Sequence, residues 1–221
     1  VDLRPGLAIS RDGLRWRRIE GPHRGALLDV GAPGEFDAVM CGWPQVIHDG
    51  SDWKMYYHTL DMRRGFLVGL ALSSDGLHWE KHGEVLGPGE AGAFDEQGAA
   101  TRQVIRHDNR YLMFYEGVMK SGHRSIGLAV SDDGLSWRRQ PGHEPNGSVF
   151  SHAPRGSGRW DAFAIGTPSL VAMDDGSWRM YYIGSNEVAN HGPADEMALQ
   201  HRIGLAVSTG TDLTRWRRWG E

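Results

Sequence analysis

One phrase is written four times along this chain: Gly-Leu-Ala-x-Ser, then Asp, then Trp. The copies run from Gly6 to Trp16, Gly69 to Trp79, Gly127 to Trp137 and Gly204 to Trp216, the last with a turn lengthened by Thr209-Gly210-Thr211. Such self-similarity is the mark of a repeat architecture, in which each unit buries its apolar faces against its neighbours. A second phrase precedes three of the copies: an aromatic-Asp pair, a short apolar segment, then an alternating strand that ends in two aromatics. It reads Phe36-Asp37 to Ile47 with Trp53 to Tyr57, then Phe94-Asp95 to Ile105 with Tyr111 to Tyr115, then Trp160-Asp161 to Val171 with Trp178 to Tyr182.

Each full unit therefore predicts four short strands, rich in β-branched and aromatic residues and bounded by turns such as Asp49-Gly50 and Asp175-Gly176. Four antiparallel strands per repeat make a propeller blade, so the expected fold is all-β, a β-propeller. The inner strands are expected at Val46 to His48, Val104 to Arg106 and Leu170 to Ala172, with the recurring Trp carried on the fourth strand and packed between blades. Asp-Gly-Leu-x-Trp suits the hairpin between third and fourth strands. The expected organisation is one domain over 1–221, with an outer half blade at 6–18 and blades at 36–82, 94–140 and 160–219. A closed ring needs the inner pair that the half blade lacks, so the reading is of a fragment or of a second chain completing the ring.

Composition narrows the function classes. The net charge is −4, and no Lys/Arg block provides the clustered positive charge that holds phosphates, which argues against nucleic acid. Arg17/Arg18, Arg138/Arg139 and Arg217/Arg218 each follow the repeated Trp and read as exposed strand residues. Cys41 is the single cysteine, so no internal disulfide exists and the oxidising-compartment signature is missing, which favours an intracellular protein. No apolar run reaches membrane-spanning length, and Val1-Asp2-Leu3-Arg4-Pro5 resembles neither a signal peptide nor an initiating Met.

The two phrases together, Phe-Asp, Pro-x-Val, x-Met-Tyr-Tyr and Gly-Leu-Ala-x-Ser-x-Asp-Gly-Leu-x-Trp, resemble the five-bladed propeller superfamily of arabinanases, levansucrases and invertases, in its glycosidase-like branch. The resemblance implies five blades in the complete protein, a carbohydrate or other small-molecule ligand in a central funnel, and carboxylates projecting from the inner strands. Glycosidic cleavage needs a proton donor and a second carboxylate. The resemblance places a catalytic Asp just before the Pro that opens an inner strand. This chain departs from that pattern: Trp43, Thr101 and Thr167 hold the position, and Arg102 replaces the Pro in the second unit. A non-catalytic propeller scaffold that binds a carbohydrate, another small ligand or a protein is therefore the alternative.

Positions where the repeats disagree are the better functional candidates, because shared residues already have a structural reason. Glu116, where the other units have His58 and Ile183, is the candidate general acid or sugar-binding carboxylate, against a plain strand-end carboxylate or a partner of Arg102. Asp37, Asp95 and Asp161 read either as a ring of catalytic carboxylates or as caps on the turn into the inner strand. Trp43 offers a stacking platform for a sugar face or inter-blade packing. His58, Arg102, Thr101 and Thr167 are candidate substrate contacts, as is Glu187 in the loop from Ser185 to His201. No metal-ligand spacing supports a metal, and no cofactor is implied. A sialidase reading starts from Ser-x-Asp-Gly-x-x-Trp, a shorter relative of the Asp-box hairpin, but Arg102, Tyr115 and Glu116 supply little of the arginine cluster that chemistry needs.

Overall fold

The repeated phrases form strands and the turns that join them. A computed structural model describes residues 3–50, 52–186 and 201–221, and its regular elements are fourteen β-strands. No helix among them is long and apolar enough to cross a membrane. The chain divides into two compact units, Val1–Gly87 and Pro88–Glu221.

In the first unit, β1 (Leu7–Ile9) and β2 (Arg17–Ile19) form a two-stranded antiparallel sheet, the outer half blade. A full blade follows in the order β3 (Gly42–Asp49), β4 (Asp52–Asp61), β5 (Gly65–Ser73) and β6 (Glu80–Leu86). In the second unit, β7 (Ala99–His107), β8 (Arg110–Val118), β9 (Arg124–Ser131) and β10 (Arg138–Gln140) make one blade. The other blade comprises β11 (Ala164–Ala172), β12 (Trp178–Ser185), β13 (Arg202–Thr209) and β14 (Asp212–Arg218). A single parallel bridge, Ala164 to Arg124, joins the two blades into one sheet. The inner strands are longer than the sequence suggests, because their openings are bulged: register shifts fall at Gly42/Gln45, Ala99/Arg102 and Gly166/Ser169.

The aromatic strands do not alternate as expected. Burial runs unbroken from Lys54 to Thr59 on β4 and over Tyr111 to Val118 on β8, so both faces of these strands are covered. On β12 the alternation returns: Met180 and Tyr182 are buried, while Tyr181 is exposed. The core of the second unit gathers Phe114, Ile126, Phe150, Ile165, Met180, Tyr182 and Trp216 from both blades; in the first unit Leu27, Leu28, Cys41, Met55 and Tyr57 play that part.

The repeated Trp sits one residue before the fourth strand in three copies and lies within it only at Trp216. Its first task is local. The indole N–H of Trp16, Trp79 and Trp216 donates to the carbonyl of Gly13, Gly76 and Leu213 in its own turn. The turn Asp does the same work from the other side: Asp12, Asp75 and Asp133 each accept two backbone N–H groups, and Asp212 accepts that of Thr214. Packing between blades is seen at Trp216, whose ring meets Phe114 edge-on at 5.8 Å.

Candidate functional site

Asp37, Asp95 and Asp161 are 1%, 1% and 0% exposed, and each sits in the same closed arrangement. The second Tyr of the aromatic strand donates its hydroxyl to the carboxylate: Tyr57 to Asp37 at 2.8 Å, Tyr115 to Asp95 at 2.8 Å, Tyr182 to Asp161 at 3.0 Å. A cation two residues past the repeated Trp closes the other side: Lys81 at 2.7 Å, Arg139 at 2.6 Å and Arg218 at 2.7 Å. The aromatic residue before each Asp stacks on that Tyr, as Phe36, Phe94 and Trp160. The Gly of Gly-Leu-Ala lies flat against the same ring, where a Cβ would come within 2.3 Å of Tyr57, 2.6 Å of Tyr115 and 2.4 Å of Tyr182. Burial, with the carboxylate alongside, pushes all three phenols well above their ordinary range. The reading of these arginines as exposed strand residues holds at Arg138, Arg139 and Arg217, while Arg218 is half-buried; Arg139 and Arg218 nonetheless turn their guanidinium groups onto a buried carboxylate. The aspartates bind side chains rather than capping backbone amides.

The strand openings are built differently. Glu116 on β8 is 3% exposed and reaches the neighbouring blade. One carboxylate oxygen accepts the Thr101 hydroxyl at 2.6 Å and the Thr167 backbone N–H at 3.2 Å; the other accepts from the Arg124 guanidinium. The hydroxyls of Thr101 and Thr167 lie 3.3 Å apart. Gly166 is required here, since a Cβ on it would fall 1.9 Å from the Glu116 carboxylate. Nearby, the Gln103 side chain accepts the backbone N–H of Leu170, a second tie between the blades. Arg102 is buried, and desolvation pulls its guanidinium down to about 9. The structure thus joins Glu116, Thr101 and Thr167, as the sequence allows, and adds Arg124 and Gly166, which it does not single out. The one available signal was the shared Gly-x-Pro of Gly42-Trp43-Pro44 and Gly166-Thr167-Pro168.

Thr167 has φ 50° and Trp43 has φ 44°. A left-handed backbone is costly for bulky and β-branched residues, and a residue before proline normally takes an extended conformation, so both openings are strained in the same way. Such strain, of roughly 1–3 kcal/mol per residue, persists where surrounding structure imposes it, and it clusters at functional sites. In the first unit the strained Trp43 stays 54% exposed, its ring edge-on to buried His58 at 5.2 Å, and His58 in turn stacks on Phe66 at 5.4 Å. Glu187 lies outside the described residues. Among the described residues no group of three or more His, Cys, Asp or Glu is placed to hold a metal ion.

No family model matches the chain. A curated relative, the uncharacterized protein Rv1502 of Mycobacterium tuberculosis, is 30% identical over 140 residues, 61% of this chain and 44% of the relative. The chain thus spans less than half the length of the curated relatives it matches. Among solved structures, a glycosyl hydrolase from Bacteroides ovatus superposes with TM-score 0.66 at 20% identity, covering 96% of this chain and 59% of that one. Fructan 1-exohydrolase IIa from Cichorium intybus superposes with TM-score 0.62 at 17% identity, covering 86% and 33%. These neighbours are glycoside hydrolases of the arabinanase, levansucrase and invertase superfamily of five-bladed β-propellers, and the chain shares their fold.

Proposed function

We propose that this chain forms part of a carbohydrate-recognising propeller whose strand openings carry ligand contacts, a polar cluster of Glu116, Thr101 and Thr167 in the second unit and, separately, an exposed indole at Trp43 in the first. The single observation that carries this reading is the pairing of backbone strain with exposure at Trp43 and Thr167, the positions where the repeats differ and where the glycosidase resemblance puts chemistry. The Trp43 indole, 54% exposed and perpendicular to the His58 ring, offers apolar surface suited to the C–H side of a pyranose. The Glu116 carboxylate, itself buried, accepts from three protein donors and so holds half-buried Thr101 and exposed Thr167 in place as the ligand-facing members of the cluster.

Binding is favoured over cleavage. Hydrolysis needs two carboxylates facing the glycosidic bond. Asp37, Asp95 and Asp161 are each buried between a tyrosine and a cation, which supports a structural role for all three. A glycan array followed by calorimetry on the hits tests the proposal. The expected result is binding that Trp43→Ala weakens at least tenfold, with no release of reducing sugar. Binding untouched by both Trp43→Ala and Glu116→Gln would sink it, and sugar release abolished by Glu116→Gln would restore the hydrolase reading.

A further inference from the structure

The partners around Glu116 fix where the protons lie at the opening of the second unit. Arg124 has donors only, and its guanidinium donates to one oxygen of the Glu116 carboxylate. A carboxylate accepts only, so in the 2.6 Å contact with the other oxygen the Thr101 hydroxyl is the donor. A hydroxyl has one proton, and that of Thr101 is committed there. The Thr101 oxygen keeps two lone pairs, one of which takes the Thr167 backbone N–H at 3.1 Å. In the 3.3 Å contact between the two hydroxyls, Thr167 is therefore the one that can donate. Turned away, its proton would leave two oxygens face to face 3.3 Å apart with no hydrogen between them. The order runs from Thr167 to Thr101 to Glu116, and each bond polarises the next. Thr167 is exposed, so its outward side presents oxygen lone pairs. Its left-handed backbone, φ 50°, is held in that position by the N–H shared between Thr101 and Glu116.

We infer that this opening selects for a hydrogen-bond donor: the Thr167 oxygen accepts the proton of a hydroxyl on a neutral sugar, and groups that only accept, such as a carboxylate, a sulfate or an ether, are disfavoured there. The inference rests on the carbohydrate reading proposed above and adds its polarity. A sugar hydroxyl donates or accepts as its surroundings require, so it fits. A carboxylate facing Thr167 meets lone pairs with lone pairs, unless the Thr167 proton swings outward and breaks the order back to Thr101. Thr167 is thus the specificity-determining contact, while Glu116 and Arg124 set its polarity without facing the sugar. The matching position of the first unit carries the Trp43 indole and no hydroxyl, so the selection belongs to the second unit alone of these two.

The probes are methyl glycosides of the neutral hexoses and pentoses, each beside its deoxy, deoxyfluoro and aminodeoxy forms at every free hydroxyl, titrated into the 221-residue chain. Fluorine accepts and never donates, whereas an ammonium group donates only. At one ring position the deoxy and deoxyfluoro forms are expected to bind about three- to tenfold more weakly than the parent, the contribution of one neutral hydrogen bond, while the aminodeoxy form binds at least as well as the parent. Thr167→Val keeps the branched shape and the strained backbone but removes the oxygen, and is expected to erase the difference between parent and deoxy forms; Thr167→Ser is expected to keep it. Glu116→Gln, which can donate to Thr101 and so reverse the order, is expected to blunt the preference for the aminodeoxy over the deoxyfluoro form. A deoxyfluoro form as good as the parent beside a weakened aminodeoxy form would overturn the inference, as would a discrimination that Thr167→Val leaves intact or the lack of any at every position. In those cases glycan binding that Trp43→Ala or Glu116→Gln weakens leaves the carbohydrate reading standing. Failure of all these sugars to bind overturns the inference too, and the glycan array then decides the wider reading.

Discussion

The Asp-Tyr-cation locks and the strand openings occupy the same blades and were made by the same repetition, yet they follow opposite rules. At the locks, Asp37, Asp95 and Asp161 keep identical partners, with only Lys81 standing in for arginine, and all three carboxylates are sealed from water. At the openings, Trp43, Thr101 and Thr167 share a bulged backbone, but an indole stands in the first unit where the other two carry threonine hydroxyls, and Trp43 and Thr167 carry left-handed strain while facing solvent. A buried carboxylate paired with a cation tolerates Lys for Arg but not the loss of either charge, because removing one partner strands the other in low dielectric. A bulge fixed by its neighbours can carry any side chain that points outward. On the proposed function, architecture lies in what the repeats share and recognition in what they vary.

The largest effect should come from breaking a lock. Asp161→Ala leaves buried Tyr182 and the largely buried Arg218 without their acceptor, and is expected to cost about 3 kcal/mol or more in denaturant unfolding. Gly69→Ala is next: the added methyl collides with the Tyr57 ring and should cost about 1–3 kcal/mol through overpacking, with Ala at the open Gly6 as a near-neutral control. If the two glycine variants destabilise equally, contact with the Tyr57 ring is not what makes Gly69 sensitive.

At the openings the sign should reverse. Thr167→Gly removes left-handed strain and is expected to leave stability unchanged or raise it by up to about 1 kcal/mol, while weakening any ligand contact there. The smallest effect belongs to the hairpin turns. Asp12, Asp75, Asp133 and Asp212 are held below the ordinary carboxylate range, the first and third chiefly by backbone N–H groups, Asp75 chiefly by His78 and Asp212 chiefly by Thr214. Their folded values lie below the unfolded ones, so their contribution is present above about pH 4 and is lost as pH falls through the folded values. Melting followed from pH 5 downward should show this loss, and Asp133→Asn should flatten part of it.

Much of this fold was legible because its rules are local. Asp-Gly-Leu-x-Trp specifies a hairpin within one stretch of chain, and the aromatic strands carry their own composition. The locks were half legible: the recurring Asp was visible, but its Tyr and cation lie far along the chain, and Arg139, an exposed strand residue by its burial, gives no sign in the sequence that its guanidinium reaches back to Asp95. The Glu116 cluster was least legible. Arg124 and Gly166 join it only because β9 and β11 meet across a blade boundary, and no short-range pattern announces that meeting. The unbroken burial of β8 likewise depends on neighbours that alternation within one strand does not reveal.

The most direct test of the central claim pairs unfolding free energy with glycan affinity for two variants, Asp95→Asn and Trp43→Ala. The account predicts a crossed result: Asp95→Asn loses stability with affinity preserved in the folded fraction, and Trp43→Ala loses affinity with stability preserved. Loss of affinity on Asp95→Asn in a fully folded protein, with Trp43→Ala binding normally, would contradict it.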